Sequence, residues 1–200
     1  MSNVMNVVTD AVLAVECGIF WARLRRLGAA GEAWSAFFGP MTVAIAAGGV
    51  RHAVPDGTPA RIAALLVLDV ALGLSVLAAQ RASLLWRTGG RRDRLVALFH
   101  VQLGAFWVVA LLRHDFLPAF VNTLIGLGWV LATAIPAVGS GERGTASVVG
   151  GLLIGAAAGI VYALGRGPAA WFDHVDVAHI VMMGSLLLLH RGAMTRAVAS

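Results

Sequence analysis

Seven apolar stretches, each close to the length that crosses a hydrocarbon core of roughly 30 Å, dominate this chain and leave little choice of fold. They fall at roughly 5–22, 34–54, 60–81, 94–112, 116–137, 146–165 and 174–194. Only 12% of the residues are charged and 59% are hydrophobic, where a soluble domain carries about a quarter charged. A water-facing surface cannot be built from that, and the mean hydropathy of +0.84 agrees. The expected fold is all-α: one transmembrane domain over residues 1–200, a polytopic seven-helix bundle. The opening MSNVMNVVTD has no basic run and carries Asp10, so it does not read as a cleaved leader.

The loops orient the bundle. Arg23, Arg25 and Arg26 follow the first stretch, and Arg81, Arg87, Arg91, Arg92 and Arg94 follow the third. The alternate loops carry fewer: Arg51 and Arg61, Arg113, and Arg166. The positive-inside rule makes the first and third loops cytoplasmic, with the N-terminus outside and the C-terminus inside. All 15 basic residues are arginine, which suggests a GC-rich bacterial source and the cytoplasmic (inner) membrane. The arginines sit in short loops beside apolar segments, so topology explains the net charge of +5 and no nucleic-acid partner is expected. Cys17, the single cysteine, reads as a small buried apolar residue. Gly151, Gly155 and Gly159 form a small-residue stripe on the sixth stretch, suited to close packing within the chain or, alternatively, to a homodimer face.

An ionisable side chain at membrane depth costs a few kcal/mol, so each one needs a reason. These are Asp10, Glu16, His52, Asp69, His100, His174, Asp176 and His179. With seven spans, the start of the first helix, the end of the second, the start of the third and the start of the seventh share one end of the bundle. Asp10, His52, Asp69, His174, Asp176 and His179 all belong to that end, which the loop charges place outside the cytoplasm. Imidazoles and carboxylates converging there make a divalent-metal site plausible, since zinc commonly takes three protein ligands and leaves a fourth position for water. Asp176 and His179, three apart, lie on one helix face, whereas His174 and His179, five apart, lie roughly 140° apart around a regular helix. His174 can therefore join only from a distorted first turn. A blander reading of WFDHVDVAH makes Asp173 a helix N-cap and leaves the other polar residues among the headgroups. His100 reads as structural, and His114 with Asp115 and His190 with Arg191 read as helix-end interface residues.

A His closing the second span, an Asp within the third and a His-rich opening of the seventh resemble the layout of the superfamily of alkaline ceramidases, adiponectin and progestin receptors, and GPI-lipid remodelling proteins. The closing stretch HVDVAHIVMMGSLLLLHRGA is most similar to a bacterial branch of such proteins. The resemblance implies a zinc-dependent hydrolase of lipid amides or esters acting on a membrane lipid, with His52, His174 and His179 as metal ligands and Asp69 as the catalytic residue. Asp176 and Asp10 would support or replace a ligand. Two departures stand out. Gly48 occupies the position of the family's serine, and the last two histidines are five apart instead of four. Two other classes compete: a non-catalytic receptor or scaffold holding a structural metal or a His–Asp network, and a small proton-coupled transporter using Asp10, Glu16 and Asp69 as a relay.

Overall fold

The computed structural model describes residues 4–86, 92–113, 115–169 and 171–199. Arg87, Arg91 and His114, to which loop or interface roles were assigned above, lie outside them. Seven helices account for almost all of the described chain: α1 Val4–Leu24, α2 Gly28–Ala53, α3 Pro59–Ser83, α4 Arg92–Arg113, α5 Leu117–Gly139, α6 Thr145–Leu164 and α7 His174–Ala199. All seven are long and apolar enough to cross a bilayer, and the chain is built as an integral membrane protein. The expected spans are recovered. Two helices outrun them: α2 starts at Gly28 instead of near 34, and α7 continues to Ala199. Hydropathy marks the stretch buried in hydrocarbon, while helical hydrogen bonding continues into the headgroup layer.

The helices form a ring. α1 packs between α2 and α7, α2 against α3, α3 against α5, α5 against α6, and α6 back against α7, while α4 lies outside against α3 and α5. Within its spanning window α3 is 61% buried, against 22% for α4, so α3 is central and α4 faces lipid. Aromatic side chains fill the junction of α1, α2 and α7: Trp34, Phe37 and Phe38 are fully buried around Phe20.

Small residues set how closely α6 and α7 approach. A Cβ on Gly151 would lie 2.8 Å from the Ser185 carbonyl oxygen, and Ser185 Oγ donates to the Gly151 carbonyl at 2.7 Å. Two members of the glycine stripe, Gly151 and Gly155, are thus occupied by α7 within the same chain. At the far end of α7, Arg196 donates to Glu142 at 2.6 Å and to the Leu85 carbonyl at 2.9 Å. That tie brings together the end of α3, the α5–α6 loop and the end of α7, as alternating helix directions require.

His190 is a correction. Placed by sequence at a helix end, it lies well inside the longer α7, 5% exposed and stacked on Phe20 at 4.1 Å between ring centroids. Cys17 is fully buried, as expected of a small apolar residue. His100 is exposed on α4 and its Nδ1 lies 2.7 Å from the Val96 carbonyl oxygen, away from the other histidines.

Candidate functional site: a His–Asp cluster at one end of the bundle

α7 opens with a reciprocal cap. Asp173 is the N-cap: its Oδ1 accepts from the backbone N–H of Val175 at 2.8 Å and of Asp176 at 3.3 Å. Asp176 reaches back, accepting at Oδ2 from the Asp173 N–H at 3.0 Å. This is capping-box geometry with an aspartate in the distal position. The N-cap expected for Asp173 is present, but Asp176 is no headgroup residue, being fully buried against α1. Gly167 permits the tight entry, because a Cβ there would lie within 2.5–2.7 Å of the Asp173–His174 backbone.

Two α1 residues complete the coordination of Asp176. Thr9 Oγ1 lies 3.2 Å from Asp176 Oδ1 and 2.9 Å from His179 Nδ1. The Asn6 amide, with its nitrogen turned toward Asp176, donates to Oδ1 at 2.8 Å and Oδ2 at 3.3 Å; the opposite orientation sets its oxygen against acceptors. A carboxylate accepts more strongly than an imidazole nitrogen. The Thr9 proton therefore goes to Asp176, the Thr9 oxygen accepts from Nδ1–H of His179, and the His179 lone pair sits on Nε2. Asp176 thus fixes the tautomer of His179 through Thr9.

That Nε2 faces Asp10. His179 Nε2 lies 3.4 Å from Asp10 Oδ1, and His52 Nε2 lies 3.9 Å from Asp10 Oδ2. The Asp10 side chain is 5% exposed, and among the described residues its Oδ2 has no hydrogen-bond partner. An imidazole lone pair held against a carboxylate in a low-dielectric setting is repulsive unless a proton or a cation lies between them. The arrangement calls for one or the other.

The residue types suit zinc: two neutral imidazoles and a carboxylate. The Asp10–His179 separation is close to the edge of a tetrahedron with bonds of about 2.0–2.1 Å. The Asp10–His52 separation is wider, and among the described residues no three His, Cys, Asp or Glu side chains are arranged around one point. His174 does not line the cavity described next, and its ring lies 5.8 Å from that of Tyr162 on α6, consistent with the angle between it and His179 on a regular helix. Asp69 is buried on α3 without lining the cavity described next, and Glu16, a turn and a half beyond Asp10, also lies outside it.

The cluster forms the polar end of a cavity of about 140 Å³ inside the ring. Its other walls include Met41, Ile45, Leu68, Leu72 and Met182, with Phe116 and Tyr162. At about 30 Å³ per water, the space suits a few waters or one polar linkage, not a whole lipid. Gly48 faces the cluster: a Cβ there would stand 3.7 Å from both Asp10 carboxylate oxygens.

Residues 5–198 match a family of unknown function, DUF6962. The chain belongs to this family. Neither a curated protein nor a solved structure gives a match. Three residues of the site went unrecognised in the sequence. Thr9 and Asn6 look like ordinary polar residues of a first helical turn, and Arg51, which also lines the cavity, looks like a topology signal.

Proposed function

We propose that the chain is a membrane-embedded hydrolase acting on the amide or ester linkage of a lipid, with Asp10, His52 and His179 as its working side chains. One observation carries the reading: a buried carboxylate flanked by two imidazole nitrogens closes one end of a cavity whose other walls, Arg51 apart, are largely apolar. An amphipathic cavity suits an amphipathic substrate, with the linkage at the polar end and the chains left among the apolar walls or in the bilayer.

Asp10 and His179, 3.4 Å apart, would hold the zinc that the layout implies, with His52 joining them once its side chain closes in from 3.9 Å, and a bound zinc supplies Lewis acidity and a water of lowered pKa. The chain's own groups do the rest. Asp10 takes a proton from water or holds that water against the substrate carbonyl. His179, its Nδ1 tied to Thr9, keeps Nε2 aimed into the cavity. Asp10 then returns that proton to the leaving group, while His52, with a quarter of its side chain exposed, holds its Nε2 toward the same carboxylate. Asp69, buried on α3 and absent from the cavity wall, has no direct part in this scheme.

The loop charges favour an N-terminus outside the cytoplasm, which places the cluster on the outer side of a bacterial cytoplasmic membrane. A reporter fused to the C-terminus should read cytoplasmic, and the opposite reading moves the cluster to the inner face.

A second reading, lipid binding without turnover, is favoured by Gly48 at the serine position and by the separation of His174 from the cluster. Elemental analysis of detergent-purified protein, paired with hydrolysis of a panel of lipid esters and amides, decides between them. About one zinc per chain, lost in both His52→Ala and His179→Ala, together with turnover by the wild type, supports the hydrolase. Zinc without turnover supports the binding protein. No stoichiometric metal after reconstitution with zinc removes the zinc-dependent reading.

A further inference from the structure

The geometry points to Arg51 as the recognition residue for a phosphate-bearing lipid headgroup, an inference that rests on the reading of the cavity as a lipid site. Two arginines end the α2–α3 corner, and only one of them makes hydrogen bonds and an ion pair. Arg61 donates Nη1 to the carbonyls of Arg51 at 2.9 Å and Val54 at 3.2 Å, and its Nη2 lies 2.7 Å from Asp56. It thereby satisfies carbonyls left open at the end of α2, where a cation also complements the helix dipole. Arg113, at the same end of the bundle, is paired with Asp115 at 2.9 Å. Among the described residues the Arg51 guanidinium has neither an ion pair nor a hydrogen bond, although Arg51 lines the cavity with Asp10, His52 and His179.

The capping role that would ordinarily explain a cation in the last turn of α2 is therefore filled by Arg61. A cation without a hydrogen bond or ion pair among the described residues, on the wall of a cavity that fits one polar linkage and one position from His52, favours a lipid whose headgroup brings its own negative charge. A guanidinium offers a planar fork of donors that matches phosphate oxygens. The position also sets the geometry: a phosphate at Arg51 leaves the neighbouring ester or amide linkage to reach Asp10 and the two imidazoles. The inferred ligand class is a phospholipid, in preference to a neutral diacylglycerol or ceramide.

The test is binding, so it does not depend on turnover. Full-length protein is reconstituted in nanodiscs of neutral carrier lipid, and a fluorescent diacylglycerol and its phosphatidylglycerol counterpart are titrated separately into wild type, Arg51→Gln and Arg51→Lys. The expected result is a preference of about tenfold for phosphatidylglycerol in the wild type, abolished in Arg51→Gln and partly kept in Arg51→Lys, with diacylglycerol binding unchanged throughout. Equal binding of the two lipids by the wild type overturns the inference, and this arm needs no variant to fold. An equal loss of both lipids in a monodisperse Arg51→Gln also overturns it, because Arg51 would then act by balancing Asp10. Soluble glycerol phosphate competing as well as the lipid would show a free phosphate site instead. A phosphatidylglycerol preference that survives while no lipid is hydrolysed would uphold Arg51 and sink the hydrolase.

Discussion

Between α3, α4 and α5, three neutral amides form a chain: Gln80 donates to Gln102 at 2.9 Å, and Gln102 donates to Asn122 Oδ1 at 2.9 Å. Between α1, α2 and α7, Asp10 faces two imidazoles at 3.4 and 3.9 Å, and one of its buried oxygens has no hydrogen-bond partner among the described residues. Both clusters lie in membrane-spanning helices, and both hold residues under 5% exposed: Gln80 and Asn122 in the first, Asp10 in the second. The first matches donor to acceptor at each link, leaving only the terminal Asn122 Nδ2 without a partner among the described residues, and joins helices, as interhelical amides do in hydrocarbon. The second sets acceptor against acceptor beside a cavity, a costly arrangement in isolation. A fold keeps such an arrangement where a proton, a cation or a substrate resolves it.

The comparison breaks most decisively at Asp10. Asp10→Asn is nearly isosteric but cannot take a proton. Hydrolysis of a lipid ester by the reconstituted protein should fall by about 10²–10⁴-fold, the range typical of a lost general base. Gln102→Leu, measured in parallel, should leave turnover within about twofold, since the amide chain joins helices instead of reacting. Comparable losses in the two variants would erase the distinction drawn between the clusters.

A finer cut separates the working side chains from their support. Thr9→Val removes the hydroxyl between Asp176 and His179 while keeping the shape. Zinc affinity should weaken by about 10–100-fold, the usual effect of losing an outer hydrogen bond to a ligating histidine. Serine at the same position keeps the hydroxyl and should retain most of the affinity. If valine and serine behave alike, the tautomer of His179 is set by something other than Thr9.

How much of this was legible beforehand follows from what each feature depends on. The seven spans depend on hydropathy and length, so they could be read directly, and their alternation alone brought Asp10, His52, Asp176 and His179 to one end. The helical angle between His174 and His179 showed that both could reach one point only from a distorted first turn; both were nonetheless expected as ligands, and His174 does not line the cavity. What stayed hidden depends on side-chain direction. Thr9 within VVTD resembles the many membrane threonines that bond back to their own helix, and its hydroxyl does lie 3.2 Å from the Asn6 carbonyl. His190 was misplaced because hydropathy could not tell that α7 runs on to Ala199. Asp69 stood out for its apolar neighbours, yet burial on α3 beside the cavity is not the same as facing into it.

The amide chain should answer to stability instead of catalysis. Gln102→Leu deletes both of its side-chain links, and interhelical hydrogen bonds within membranes contribute about 0.6 kcal/mol each on average. The expected loss is about 1 kcal/mol in a detergent unfolding titration, larger if Gln80 and Asn122 are left unpaired in the bilayer. Gain of stability would mean that the packing of leucine outweighs the ladder.

The smallest effect belongs to the ion pair that is neither buried nor beside the cavity. Arg113 donates Nε and Nη2 to Asp115 Oδ2 at 3.0 and 2.9 Å, and Asp115 Oδ1 accepts from the Leu117 N–H that opens α5. The Arg113 hydrogen bond, helped by the Leu117 N–H, holds the Asp115 carboxyl below the usual carboxylate range. A folded-state pKa depressed in this way stabilises at neutral pH, and the contribution is lost as the pH falls through that value. Water screens the pair, since both side chains are about half exposed. Asp115→Asn should therefore shift the thermal midpoint at neutral pH by no more than experimental error, and any shift should vanish in acid. Because the asparagine oxygen can still accept from the Leu117 N–H, a clear drop at neutral pH that vanishes in acid would show that the charge of Asp115 counts for more than a screened pair allows.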